Sequence, residues 1–168
     1  MTTKANSNST QSWSQRALKG RVAETLIEQL FTKLGYKVFH YGMEKTIPGI
    51  IELLQGVNTN VAKQIRTMPD FVMQHPKTGD VNLVEVKYRA NGQFSFEDTK
   101  SDYPYENAFF IIVSRRHIKC LTYEELKTGQ SISPTSRNYL YKRQEFELDK
   151  EVIKEFCGFA VQFFTGVE

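Results

Sequence analysis

The sequence is poor in the residues that staple or metallate small proteins. Its two cysteines, Cys120 and Cys157, lie far apart and share no CxxC spacing, so buried free thiols are a better reading than a disulfide framework or a zinc site. The three histidines, His40, His75 and His117, stand at no metal-ligand spacing. No apolar run approaches the roughly 18 residues that cross a bilayer. Met1 to Ser14 is polar where a signal peptide would be apolar. The expectation is a cytoplasmic protein with no membrane partner. There is no GxxxxGK loop to cradle a nucleotide and no internal repeat. Neither sign of charge dominates: 22 Lys and Arg against 19 Asp and Glu leave +3, which permits nucleic-acid binding without requiring it.

What is present is the composition of an ordinary folded domain. The 168 residues, 40% hydrophobic and 24% charged, suffice for one core and are too few for two full domains. Residues 1–14, rich in Ser, Thr and Asn, are expected to form a flexible tail, and residues 15–168 a single α/β domain. Leu18, Val22, Leu26, Leu30 and Leu34, with Ala23, Ile27 and Phe31 beside them, predict a helix over 15–34 stopped by Gly35. Strands are predicted over 36–41, 71–74, 82–88, 109–113 and 118–122. Short helices are predicted over 50–54, 61–65 and 123–127. A closing helix over 149–164 would turn Val152, Ile153, Phe156, Ala160 and Phe163 inward. Phe109 to Val113 is apolar throughout, as a strand covered on both faces should be.

Charge inside the 82–88 strand carries the chemistry. Side chains alternate along a strand, so Glu85 and Lys87 share one face while Val84 and Val86 take the other. Pro76-Lys77-Thr78-Gly79 has turn chemistry and joins this strand to 71–74 as a hairpin. If the turn is symmetric about Lys77 and Thr78, His75 pairs with Asp80, Met73 with Asn82, and Asp70 with Glu85. Carboxylates so opposed, with Cβ atoms about 4.5 to 5.5 Å apart, repel unless something neutralises them. A divalent cation that prefers oxygen ligands, Mg²⁺ or Mn²⁺, is the simplest neutraliser. Such an ion beside a lysine suits phosphodiester hydrolysis. Taken singly the pieces are ordinary, since Pro-Asp often begins a strand and Glu-x-Lys often protects an exposed edge.

Together, Pro69-Asp70 and Glu85-Val86-Lys87 resemble the signature of the PD-(D/E)XK nuclease family, over roughly residues 20–114. Members similar to Holliday-junction resolvases and phage exonucleases also carry a glutamate on the preceding helix. Gly20-Arg21-Val22-Ala23-Glu24 looks like that element, with Glu28 one turn later as the fallback. The resemblance implies a restriction-endonuclease-like core, a central mixed β-sheet flanked by helices. It implies metal-dependent hydrolysis of nucleic acid, DNA ahead of RNA and endonuclease ahead of exonuclease action. Mg²⁺ or Mn²⁺ would be held by Asp70, Glu85, the Val86 carbonyl and Glu24, and Lys87 would place or activate the water. The long segment 42–68 departs from the short resolvases, which have a tight turn there. Nucleic-acid contacts are expected from Arg115, Arg116 and Lys119, and from Gln93. Phe94, Phe96, Tyr103 and Tyr105 suit either base stacking or packing of a lid. A homodimer is compatible with this reading. The rival is a catalytically inactive nuclease-fold module that binds nucleic acid or a protein partner.

Overall fold

The structure, a computed structural model, describes residues 6–42, 47 and 49–166. Its order is α1 (Asn6–Lys33), β1 (Lys37–His40), α2 (Ile50–Leu53), α3 (Asn60–Arg66), β2 (Phe71–Gln74), β3 (Val81–Tyr88), β4 (Phe109–Val113), β5 (Ile118–Thr122), α4 (Tyr123–Lys127) and α5 (Lys150–Thr165). The strands form one mixed five-stranded sheet in the order β1-β2-β3-β4-β5, with β3 and β4 parallel and the other neighbours antiparallel. Helices flank it. Among the described residues no helix is long and apolar enough to cross a membrane.

Alternation on β3 and β4 divides the molecule into two layers. Val84, Val86, Phe109, Ile111 and Val113 join Ala23, Ile27, Leu30 and Phe31 of α1, and Ile153, Phe156, Ala160 and Phe164 of α5, in the larger core. Phe110, Ile112 and Leu121 face the other way, onto Phe94, Tyr103 and Tyr123. Parallel neighbours need a crossover of a dozen or more residues, usually helical. Here residues 89–108 make that crossover with only a 3₁₀ turn at Phe96–Asp98, and they lie over the second face.

Two expectations about helices are corrected. The first helix begins at Asn6, not near Ser14, so residues 6–14 are helical rather than tail, while 1–5 lie outside the described residues. Nucleation is the costly step in helix formation, and a polar run can extend a helix nucleated by the buried turns after Ala23. That overhang explains why Leu18, on the predicted stripe, is 60% exposed. In α5 the inward set is Ile153, Phe156, Ala160 and Phe164, whereas Phe163 is exposed. Steps of three, four and four residues keep to the 3.6-residue period, and Phe163 falls about 100° off it.

Candidate active site

The β2–β3 hairpin sets the site. Gly79 adopts φ +78°, the left-handed conformation that suits glycine, and closes a four-residue turn with His75 N–H donating to the Asp80 carbonyl at 2.8 Å. An even-length turn keeps the faces in step. Phe71 pairs with Val84 and Met73 with Asn82, the register expected from a symmetric turn. Continued by one residue, it sets Asp70 opposite Glu85, on the face that also carries Lys87. Asp70 is fixed from both sides: its carbonyl accepts Tyr41 N–H at 2.9 Å and its carboxylate Oδ2 accepts Val86 N–H at 2.8 Å.

Continued by two residues, the register sets Pro69 opposite Val86. His75 and Asp80 form a hydrogen-bonded pair, so the alternate pairs 73/82, 71/84 and 69/86 are of the same kind. Proline has no N–H to give the Val86 carbonyl. That carbonyl points to the same strand edge as the Val86 N–H, which Asp70 receives. Pro69 thereby offers no N–H at that position, just past the last paired residues of the β2–β3 ladder, Phe71 and Val84.

Glu85 is 7% exposed. Its Oε1 accepts a hydrogen bond from Lys87 Nζ, and its Oε2 is buried with no hydrogen-bond partner among the described residues. Burial, and then the charge of Asp70, push the Glu85 carboxyl up to about 7, against the opposing pull of Lys87 and Lys100. For Lys87, burial favours the neutral amine, but Glu85 and then Asp70 outweigh it and raise its pKa.

The crossover roofs this pair. The Tyr103 ring packs 5.3 Å from that of Phe110, the strand partner of Glu85. The Tyr103 hydroxyl is likewise buried without a hydrogen-bond partner among the described residues, and burial followed by the charges of Glu85 and Asp70 raises its pKa. The roof is tied to α3. Lys63 pairs with Asp102 at 2.7 Å, Tyr105 Oη donates to the Gln64 carbonyl at 2.9 Å, and Lys100 Nζ to the Arg66 carbonyl at 3.1 Å.

Glu24 stands apart from this group. It is half-buried on α1, whose packing face meets the Val84 and Val86 side of the sheet, opposite Glu85. It lines a cleft of about 580 Å³ with Arg16, Lys19, Val86, Lys87 and Arg89. Among the described residues no three His, Cys, Asp or Glu side chains gather closely enough to hold a metal ion, so Glu24 does not complete a trio with Asp70 and Glu85. Glu28, the fallback, pairs with His40 at 3.1 Å.

Neither a protein-family model nor a curated protein matches the chain. The site is therefore read from its own geometry.

Of the expected nucleic-acid contacts, Arg115 and Arg116 line a basic pocket beyond β4, while Lys119 is 3% exposed at its base. Gln93 is exposed in the turn after β3, where its N–H donates to Asn91 Oδ1. Sequence reasoning left Tyr103 between stacking and packing and did not single out Lys100. Both lie in a crossover whose covering of the Glu85 face follows only once β3 and β4 are known to be parallel.

Proposed function

We propose that the chain is a metal-dependent nuclease with a restriction-endonuclease-like core, cutting DNA phosphodiester bonds internally at a site made by Asp70, Glu85 and Lys87. The observation that carries this reading is a buried Glu85 Oε2 without a hydrogen-bond partner among the described residues, beside a second carboxylate and a carbonyl that faces a proline. A buried polar atom is costly to leave unmatched, and three oxygens so placed suit a hard cation. Mg²⁺ is commonly held by one or two carboxylates with water and substrate phosphate making up the rest, so a two-carboxylate site fits it.

When bound, such a cation stabilises charge building on the phosphate and makes a water easier to deprotonate. Asp70 and Glu85 would hold it, Asp70 being kept in place by Val86 N–H. Lys87, whose side chain is 32% exposed, reaches from Glu85 toward the cleft, where it orients the attacking water or donates to a phosphate oxygen. Tyr103 and the roof exclude bulk water from Glu85. Glu24 flanks the cleft and is a candidate for holding water or substrate rather than a member of the ligand pair.

The second reading, an inactive module, is favoured by the Lys87 to Glu85 ion pair, which satisfies one carboxylate oxygen without any metal. The two readings separate in a cleavage assay on linear, circular, single-stranded and branched DNA. The nuclease reading expects cutting with Mg²⁺ or Mn²⁺ and silence under chelation. Binding without cutting on every substrate with either metal would make the module the better account.

A further inference from the structure

Beyond the end of β4 the chain turns sharply at Ser114-Arg115-Arg116-His117. Ser114 Oγ accepts the N–H of His117 at 3.0 Å and of Arg116 at 3.4 Å, and Ser114 N–H donates to the His117 carbonyl at 2.9 Å. This turn and residues 90–92 enclose a pocket of about 360 Å³. Arg115, Arg116, His117 and Lys119 line it, and no aspartate or glutamate does.

Lys119 is the unusual member. It is 3% exposed, and its Nζ donates to the carbonyls of Ser133 at 2.6 Å and Pro134 at 3.2 Å, with the Tyr139 ring 5.2 Å away. Carbonyl oxygens and a ring face are neutral partners, so this buried ammonium meets no carboxylate within the pocket. A buried charge without a counter-ion is costly, and an anion in the pocket would relieve that cost. The local field is positive enough to reach its neighbour: burial, then Lys119 and Arg116, lower the pKa of His117.

The position of the pocket suggests which anion. Ile112 in its wall is the strand partner of Lys87, and Ala90 and Asn91 line both this pocket and the cleft containing Lys87. Strands rise about 3.3 Å per residue, so Ser114 lies about 7 Å beyond Ile112. We infer that the pocket between the Ser114–His117 turn and residues 90–92 binds a phosphate group, supplied by the nucleic-acid backbone close to the bond presented to Lys87. The choice of backbone over free phosphate rests on the nuclease reading. The phosphate-binding chemistry rests on the pocket alone.

The test uses the full chain in chelator, where nothing is cut. Inorganic phosphate is titrated while the His117 imidazole is followed by NMR, and a single-stranded oligonucleotide is titrated at several salt concentrations. The comparison is with Arg116→Gln, an exposed position that leaves the core untouched, and with Lys119→Met after its fold has been checked. Phosphate should shift the His117 signals in the parent and much less in either variant. Arg116→Gln should weaken oligonucleotide binding several-fold and reduce the salt slope by about 1. If phosphate shifts His117 but Arg116→Gln leaves oligonucleotide affinity and salt slope unchanged, the pocket takes free phosphate and the backbone assignment is overturned. If phosphate leaves His117 unmoved, the pocket itself is overturned. A protein that passes these tests yet cuts nothing with metal would overturn the nuclease reading and leave the phosphate pocket standing.

Discussion

The Asp70 carboxylate accepts the backbone N–H of Val86 at 2.8 Å, just before β2 begins, and Pro69 faces the next ladder position. Asp70 thus caps the sheet and carries half of the paired negative charge. The two roles respond differently to substitution. Asp70→Ala strands the Val86 N–H and should cost about 1 to 2 kcal/mol of stability. Asp70→Asn keeps an oxygen acceptor there and should stay within about 0.5 kcal/mol of the parent, near the level of neutral substitutions. Both should abolish cleavage, because both remove the charge. Urea unfolding paired with the DNA cleavage assay reads the two effects separately. A folded Asp70→Asn protein that cuts at the parental rate would remove Asp70 from the metal.

Glu85 makes the metal-free protein sensitive to pH in an unusual direction. Its carboxyl is pushed up to about 7 in the fold by burial and Asp70. In the unfolded chain it titrates near about 4.3. Between those values the folded state holds the proton that the unfolded state has released, so stability falls as pH rises through this window and levels off above about 7. The drop is at most roughly 4 kcal/mol, at about 1.4 kcal/mol per pH unit. Glu85→Gln should abolish the slope. Metal binding needs the ionised form, so Mn²⁺ should raise Tm more at pH 8 than at pH 5.5 and release protons near pH 7 in calorimetry. Equal metal stabilisation at both pH values would exclude Glu85 as a ligand.

How far the sequence reached depends on whether the deciding interaction was local. Opposition of Asp70 and Glu85 followed from four turn residues and a period of two, and Gly79 at positive φ with an even-length loop keeps that register. The apolar run Phe109 to Val113 marked a central strand because burial on both faces writes itself into composition. Tyr103 was legible only as an aromatic in a loop, since its place over Glu85 depends on which face the crossover takes. Glu24 was placed by its angle on the helix, which fixes a flank but not the distance to a group across the sheet. Lys119 looked like one more cation in a basic run. Its burial comes from the pairing of β5 with β4, the bridge to Tyr139 and the Ser133 and Pro134 carbonyls.

Tyr103→Phe separates packing from chemistry. The hydroxyl is buried without a hydrogen-bond partner among the described residues, so deleting it removes an uncompensated polar atom and should leave Tm unchanged or slightly raised in metal-free protein. If the hydroxyl positions water or phosphate beside Glu85, cleavage should fall about 10-fold through kcat, with KM little changed. Single-turnover kinetics under saturating metal measures this. Unchanged kcat in a folded Tyr103→Phe protein would confine Tyr103 to the roof.

Lys87 has two separable duties, and pH tells them apart. Its ammonium bonds Glu85 and counteracts burial and Asp70 in setting that carboxyl. In Lys87→Met the Glu85 carboxyl should rise further, since the adjacent ammonium that lowers it is gone. The pH at which Mn²⁺ begins to raise Tm should move up with it. DNA binding, which draws on the wider basic surface, should change only a few-fold. Cleavage at pH 7 should be lost on either account of the lysine. If Lys87 serves only to keep Glu85 ionised, raising the pH to 9 should restore cutting once the metal is again bound. If it also places the water or steadies charge on the phosphate, cutting should stay low although the Tm shift shows metal in place. The second outcome is expected, because the side chain is 32% exposed at the cleft rather than sealed with Glu85. A folded Lys87→Met protein that cleaves like the parent at pH 7 would take the chemistry away from this face of the sheet.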